Sequence, residues 1–218
     1  DRLSEKEVPA VRRAAESEQD AEIRELLQLA LARTDIQSGD SQRQLAAVEL
    51  LGEFEKVGMV LDLTHTADEG FYQALDCFGG PVLASHTNCR ALVPGDRQFS
   101  DAQIELLIQR DAVIGAALDA WMLMPGFVVG ETEPGDLSIA AVADHIDHVC
   151  QLAGNALHAA IGSDLDGGYG TEQTPRDLDT IADLQKIPNL LKKKGYGQKD
   201  IANIMHGNWV RFFREAWS

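Results

Sequence analysis

Two short apolar runs, each closing on a histidine, constrain this chain more than any other feature. Met59-Val60-Leu61-Asp62-Leu63-Thr64-His65 and Pro81-Val82-Leu83-Ala84-Ser85-His86 are rich in β-branched residues and leucine, the pattern of strands buried on both faces of a parallel sheet. Between them Thr66 followed by Glu69 reads as a capping box, and Phe71, Leu75 and Phe78 repeat at helical spacing. The spacing predicts a β-α-β unit with one imidazole at the C-terminal end of each strand. In parallel α/β folds that is the end where βα loops converge and ligands collect.

The rest of the chain continues the alternation. Residues 4–33 read as one or two helices with Ile23, Leu26, Leu27, Ala30 and Leu31 on one face. Residues 34–40 are a polar connector, after which Ser41 and Gln44 cap a helix that turns Leu45, Val48, Leu51 and Phe54 inward and stops near Gly58. Beyond His86 a loop with Pro94, Gly95 and Asp96 is long for a βα connection, which marks it as functional. Ser100 with Gln103 caps the next helix, carrying Ile104, Leu107 and Ile108. A third strand spans 112–118, followed by a loop over 121–134. A helix from Ser138, with Ile139, Val142, Ile146 and Val149 on one face, leads to a fourth strand that ends at Asp164. The tail is helical, with Pro188 as an interruption, Gly195 as a stop and Gly207 within the last helix. Residues 1–40 thus form a helical segment, and 41–218 a run of four βα units, half the strand number of a (β/α)8 barrel.

A net charge of −16 argues against nucleic acid or an anionic membrane as partner, since either needs a basic face. Cys77, Cys89 and Cys150 are odd in number and carry no C-x-x-C spacing, so no disulfide framework is suggested and a reducing, cytoplasmic setting is expected. No apolar run approaches the roughly 18 residues of a membrane span, and residues 1–20 hold no signal-peptide core.

His65, His86 and Asp164 at three strand ends are residue types that zinc takes at catalytic sites, where an open position holds an activated water. The competing reading is polar residues that satisfy loop backbone. The other candidates read blandly. His145 and His148 belong to a helix surface beside Asp144 and Asp147, His158 lies where the fourth strand begins, and His206 abuts a helix interruption. Cys89 is expected as a buried thiol, Trp209, Phe212 and Phe213 as core, and Lys192 to Lys194 as the cationic end of a helix.

Leu61-Asp62-Leu63-Thr64-His65, Ala84-Ser85-His86-Thr87-Asn88, Asp144-His145-Ile146-Asp147-His148 and the string from Ile161 to Gly168 together resemble the membrane (renal) dipeptidase family of zinc peptidases. Gly195-Tyr196 and the stretch from Gly207 to Phe212 are similar too, and the match runs in order from about Ser41 to Glu215. The resemblance implies a (β/α)8 TIM-barrel-like fold of metallo-dependent hydrolase type, of which the C-terminal half is evident here, with two zinc ions and dipeptide substrates. It assigns His65 and His86 as ligands of the second zinc, Arg97 as the holder of the substrate carboxylate, and Asp164 as the group that exchanges a proton with the attacking water or leaving amine.

The family's first zinc comes from a His-x-Asp pair on the first strand, with a bridging Glu later, and no histidine precedes His65 here. Two readings stand. The chain is the C-terminal part of a longer zinc dipeptidase, or it is a shortened, catalytically silent half-barrel. A small-molecule binder that uses Arg97 as a carboxylate clamp is a third. With two histidines alone, zinc occupancy is expected to be weak or partial. A half-barrel with open strand edges is expected to dimerise.

Overall fold

The computed structural model describes residues 8–20, 23, 24, 27, 31, 54–135 and 137–218. The predicted helix capped by Ser41, its Leu45, Val48 and Leu51, the 34–40 connector, and Leu26 and Ala30 lie outside the described residues. The chain divides into two compact units, Asp1–Leu61 with Thr66–Gly80, and Asp62–His65 with Pro81–Ser218.

In the first unit α1 spans Val8–Ser17. A helical turn over 54–56 ends at Gly58, whose φ of +76° suits a residue without Cβ, and Phe54 beneath it is buried. Helix α2, Asp68–Cys77, buries Phe71 and Ala74, and Phe78 just beyond it is buried too. The capping box expected from Thr66 and Glu69 does not form; the N-cap is Ala67, which has no side-chain acceptor, and Asp68 and Glu69 instead place charge against the positive end of the helix dipole. The apolar face predicted around Ile23 also needs correction. Leu31 is buried, but Ile23 is 47% exposed.

In the second unit the strand ends supply the scaffold. Asp62, the last residue of strand β1 (Leu61–Asp62), and Leu63 run beside β2, Val82–Leu83, where Leu63 N–H donates to Leu83 O at 2.9 Å. A parallel bridge joins Ala84 to Ile114 in β3, Ile114–Ala116, and β3 pairs in parallel with β4, Ala159–Ile161, with Ile114 opposite Ala159. The order β1-β2-β3-β4 is the one the alternation predicts. The ladders are shorter than the apolar runs because burial, not pairing, sets hydrophobicity; Ala112, Val113, Ala117 and Leu118 flank β3 fully buried.

Helix α3, Asp101–Gln109, carries the predicted Ser100–Gln103 capping box. The stretch read as loop from Trp121 opens instead as a short helix, α4, Ala120–Leu123. Helix α5, Ala140–Ala153, buries Val142, Ile146 and Val149, with Ile139 buried at its N-cap. Asp177 holds that end, accepting from Ile139 N–H at 2.7 Å and from the Ser138 hydroxyl at 2.9 Å. The helical stretch is interrupted near Pro188 as expected: a 3-10 helix over Ile181–Lys186 gives way to α6, Ile187–Lys193, with Pro188 in its first turn, where no amide donor is needed. After α7, Gln198–Ala202, a π-helical turn at Asn203–Gly207 leads into α8, Asn208–Ala216. Phe212 is buried as expected, while Trp209 and Phe213 are only half-buried and stack in line with Trp217. Among the described residues no helix is long and apolar enough to cross a membrane.

Candidate active site

All four residues singled out by the sequence meet in the second unit. The Nε2 atoms of His65 and His86 approach to 2.9 Å, with ring planes inclined at 66°. Asp164 Oδ1 lies 3.8 Å from His86 Nε2. Arg97 Nη2 donates to His86 O at 2.8 Å and lies 3.3 Å from His65 Nε2. Two of the four sit in left-handed backbone, His65 at φ +67° and Asp164 at φ +57°. Such a conformation costs a non-glycine residue about 1–3 kcal/mol and collects at functional sites. Here it turns both side chains from the strand ends toward one point.

His86 is also held from behind. Its Nδ1 lies 2.8 Å from Ser85 Oγ, which donates to Asp62 Oδ2 at 2.5 Å. Asp62 Oδ1 in turn accepts from the backbone N–H groups of Thr64 and Ser85, each at 3.0 Å. Burial lowers the His86 pKa, opposed by the Asp164 charge. Burial likewise lowers that of Arg97, whose Nη1 is buried with no hydrogen-bond partner among the described residues.

Sequence reasoning passed over Asp119 and Tyr169. Asp119 closes the third apolar run as Asp164 closes the fourth, and that shared strand-end position was the available signal. It is 6% exposed; Oδ2 accepts from Trp121 Nε1 at 2.6 Å and Oδ1 is buried without a partner among the described residues. Burial raises its pKa against the Trp121 hydrogen bond, and Asp164 raises it further. Burial raises Tyr169 as well, helped by Asp119, Asp164 and Asp166, while its hydroxyl donates to Ser163 O at 3.4 Å. The loop with Arg97 is fastened to the β3 end, for Gln98 Nε2 donates to Met122 O at 2.8 Å and Asn88 bonds Ala117 N–H, Ala117 O and Met122 O.

The remaining histidines stay outside this cluster. His145 is not on the helix surface as predicted but 2% exposed, its Nδ1 accepting from Cys89 N–H, because α5 turns that face toward the post-His86 loop. His148 pairs with Asp101 at 2.7 Å, and His158 bonds Ala112 O. Cys89 is a buried thiol, pushed up to about 12 by burial. A cavity of about 530 Å³, lined by Cys150, Leu157, Tyr196, Lys199, Asp200 and Asn203, opens where β4 begins and so lies away from the strand-end chemistry.

Two facing imidazole nitrogens fit a divalent metal as part of a ligand set. Among the described residues no group of three His, Cys, Asp or Glu side chains completes one.

A family model described as membrane dipeptidase, peptidase family M19, matches residues 41–218. An uncharacterized Klebsiella pneumoniae protein from the pqqA 5′ region is 26% identical over 79% of this chain and 60% of its own length. Dipeptidase tcpJ of Claviceps purpurea is 28% identical over 77% of this chain and 37% of its own. The fold resembles that of a Rhodobacter sphaeroides metallopeptidase, solved with a phosphinate mimic of L-Ala-D-Ala, at a TM-score of 0.69 and 23% identity, over 79% of this chain and 46% of that one. The chain therefore spans less than two thirds of the length of these relatives.

Proposed function

The chain belongs to the membrane dipeptidase family, peptidase family M19, and from that premise we infer that its site serves zinc-dependent hydrolysis of dipeptides. The observation that carries this is the convergence of His65 and His86 Nε2 at 2.9 Å with Arg97 and Asp164 beside them. His65 and His86 offer lone pairs to the metal. Arg97, with Nη1 still unpartnered among the described residues, clamps the carboxylate of the dipeptide, a task suited to a planar fork of donors. Asp164 exchanges a proton with the attacking water or the leaving amine. Zinc, when bound, supplies a Lewis acid and lowers the pKa of its water.

A (β/α)8 barrel-like fold of which this chain carries the C-terminal half, and self-association as a dimer, belong to the same proposal, as does a cytoplasmic setting, supported by the three free cysteines. A second reading, a catalytically silent half-barrel, is favoured by one observation, the lack of a three-residue ligand group among the described residues. Release of amino acid from L-Ala-D-Ala under a zinc titration separates the two. Turnover that needs excess zinc, vanishes with chelator and is lost in His86→Ala supports the peptidase. No turnover at saturating zinc overturns it in favour of the silent form.

A further inference from the structure

We propose that Asp62 and Ser85 are positioning residues that lock His86 in the tautomer with its proton on Nδ1, so that Nε2 presents a lone pair to the metal. This rests on the reading of His86 as a ligand. The hydrogen-bond inventory fixes the direction of the chain. Asp62 accepts three hydrogen bonds, from Thr64 N–H at 3.0 Å, Ser85 N–H at 3.0 Å and Ser85 Oγ at 2.5 Å. An ionised carboxylate can only accept, so the single hydroxyl proton of Ser85 points to Asp62. What Ser85 Oγ then shows to His86 Nδ1, 2.8 Å away, is a lone pair. Nδ1 must therefore be the donor, and in a neutral imidazole that leaves Nε2 bare.

The two backbone amides that hold Asp62 Oδ1 keep the carboxylate from rotating away, and Thr64 Oγ1, 3.3 Å from His86 N, fixes the backbone of the same residue. The Ser85 carbonyl oxygen occupies the space that a Cβ on Gly115 or Gly162 would take, which leaves its backbone little room to shift. Metal-bound histidines are generally oriented by a carboxylate or carbonyl on the opposite ring nitrogen. Here a hydroxyl is interposed, and the carboxylate acts through it.

The test uses the full chain with labelled histidine at about pH 8, above the range in which free imidazole is protonated. Nitrogen-15 spectra should show His86 Nδ1 protonated and Nε2 unprotonated in the wild type, and a mixture of tautomers in Ser85→Ala. Calorimetric titration with zinc alone should show Ser85→Ala weaker than wild type by about 10- to 100-fold, with Asp62→Asn in between. A wild-type His86 protonated on Nε2 overturns the relay, and that measurement needs no variant to fold. So does Ser85→Ala with an unchanged tautomer and unchanged affinity. An Nδ1-protonated wild type that binds no zinc upholds the relay and overturns the metal reading on which it was built.

Discussion

Cys89 N–H donates to His145 Nδ1 at 3.0 Å, which ties α5 to the loop that follows His86 through a single buried imidazole. Burial is the main cause of its lowered pKa, about 4 against 6.5, with Asp144 opposing the shift and His148 adding to it. The folded chain thus resists the proton that the unfolded chain accepts. Stability from this group is complete above pH 6.5 and is lost as the pH falls toward 4. The loss is about 3 kcal/mol across that window. Urea unfolding at stepped pH should show it, and His145→Gln, which retains an acceptor, should flatten the slope. An equal slope in both proteins would remove His145 from the account.

Asp119 makes the opposite case. Its folded pKa is raised, chiefly by burial, so stability is intact below the ordinary carboxylate range and declines as the pH rises through the folded value. Asp119→Asn keeps an acceptor for Trp121 Nε1 and carries no charge to bury. The variant should melt higher than the wild type at neutral pH, and the gain should disappear as the solution is acidified below the carboxylate range. A lower melting temperature at neutral pH would mean that the charge at Asp119 is held by a favourable partner.

The βα order and the meeting of His65, His86 and Asp164 were legible in the sequence because hydrophobic runs mark strands and strand ends converge in a parallel sheet, whereas Arg97, in a loop, came only from the family resemblance. What could not be read was which residues lie behind the first row. Ser85 and Asp62 look like ordinary strand residues until the register sets Asp62 beside Ser85. His145 misled for a related reason. Four polar residues within Asp144-His145-Ile146-Asp147-His148 suggest a solvated face, but one helical turn puts Ile146 and His145 inside and leaves Asp144 out. The cap of α5 comes from Asp177, 38 residues beyond Ile139, a distance that no local pattern reaches.

A methyl added at Gly115 or Gly162 would meet Ser85 O on one side and the other glycine's Cα on the other, both backbone. Backbone cannot rotate away as a side chain can. Gly162→Ala should therefore lose about 1–3 kcal/mol or more, read as a lower urea midpoint at constant slope. Because Ser85 must shift, the nitrogen-15 signals of His86 should move as well. A stable variant with an unmoved His86 spectrum would show that the three strand ends have more room than their spacing indicates.

Among the described residues, side chains at the start of α8 cap carbonyls on the outer edge of β4. Along β4 alternate carbonyls face β3, as His158 O does in accepting from Ile114 N–H, while Ala159 O and Ile161 O face the other way. Asn208 Nδ2 donates to Ala159 O and to Ala156 O, both at 2.8 Å, and Trp209 Nε1 donates to Ile161 O at 2.9 Å. Covering an edge in this manner blocks the backbone groups through which sheets pair with a second chain. Asn208 is 1% exposed, so Asn208→Ala leaves two carbonyls unsatisfied and should cost about 2–3 kcal/mol. It should also release the edge. Light scattering over a concentration series is expected to give twice the chain mass for the wild type, as the dimer proposal requires, and larger, concentration-dependent species for Asn208→Ala. A wild-type monomer at every concentration would overturn the dimer, and an Asn208→Ala protein that is destabilised without associating further would show that α8 stabilises β4 but does not guard it.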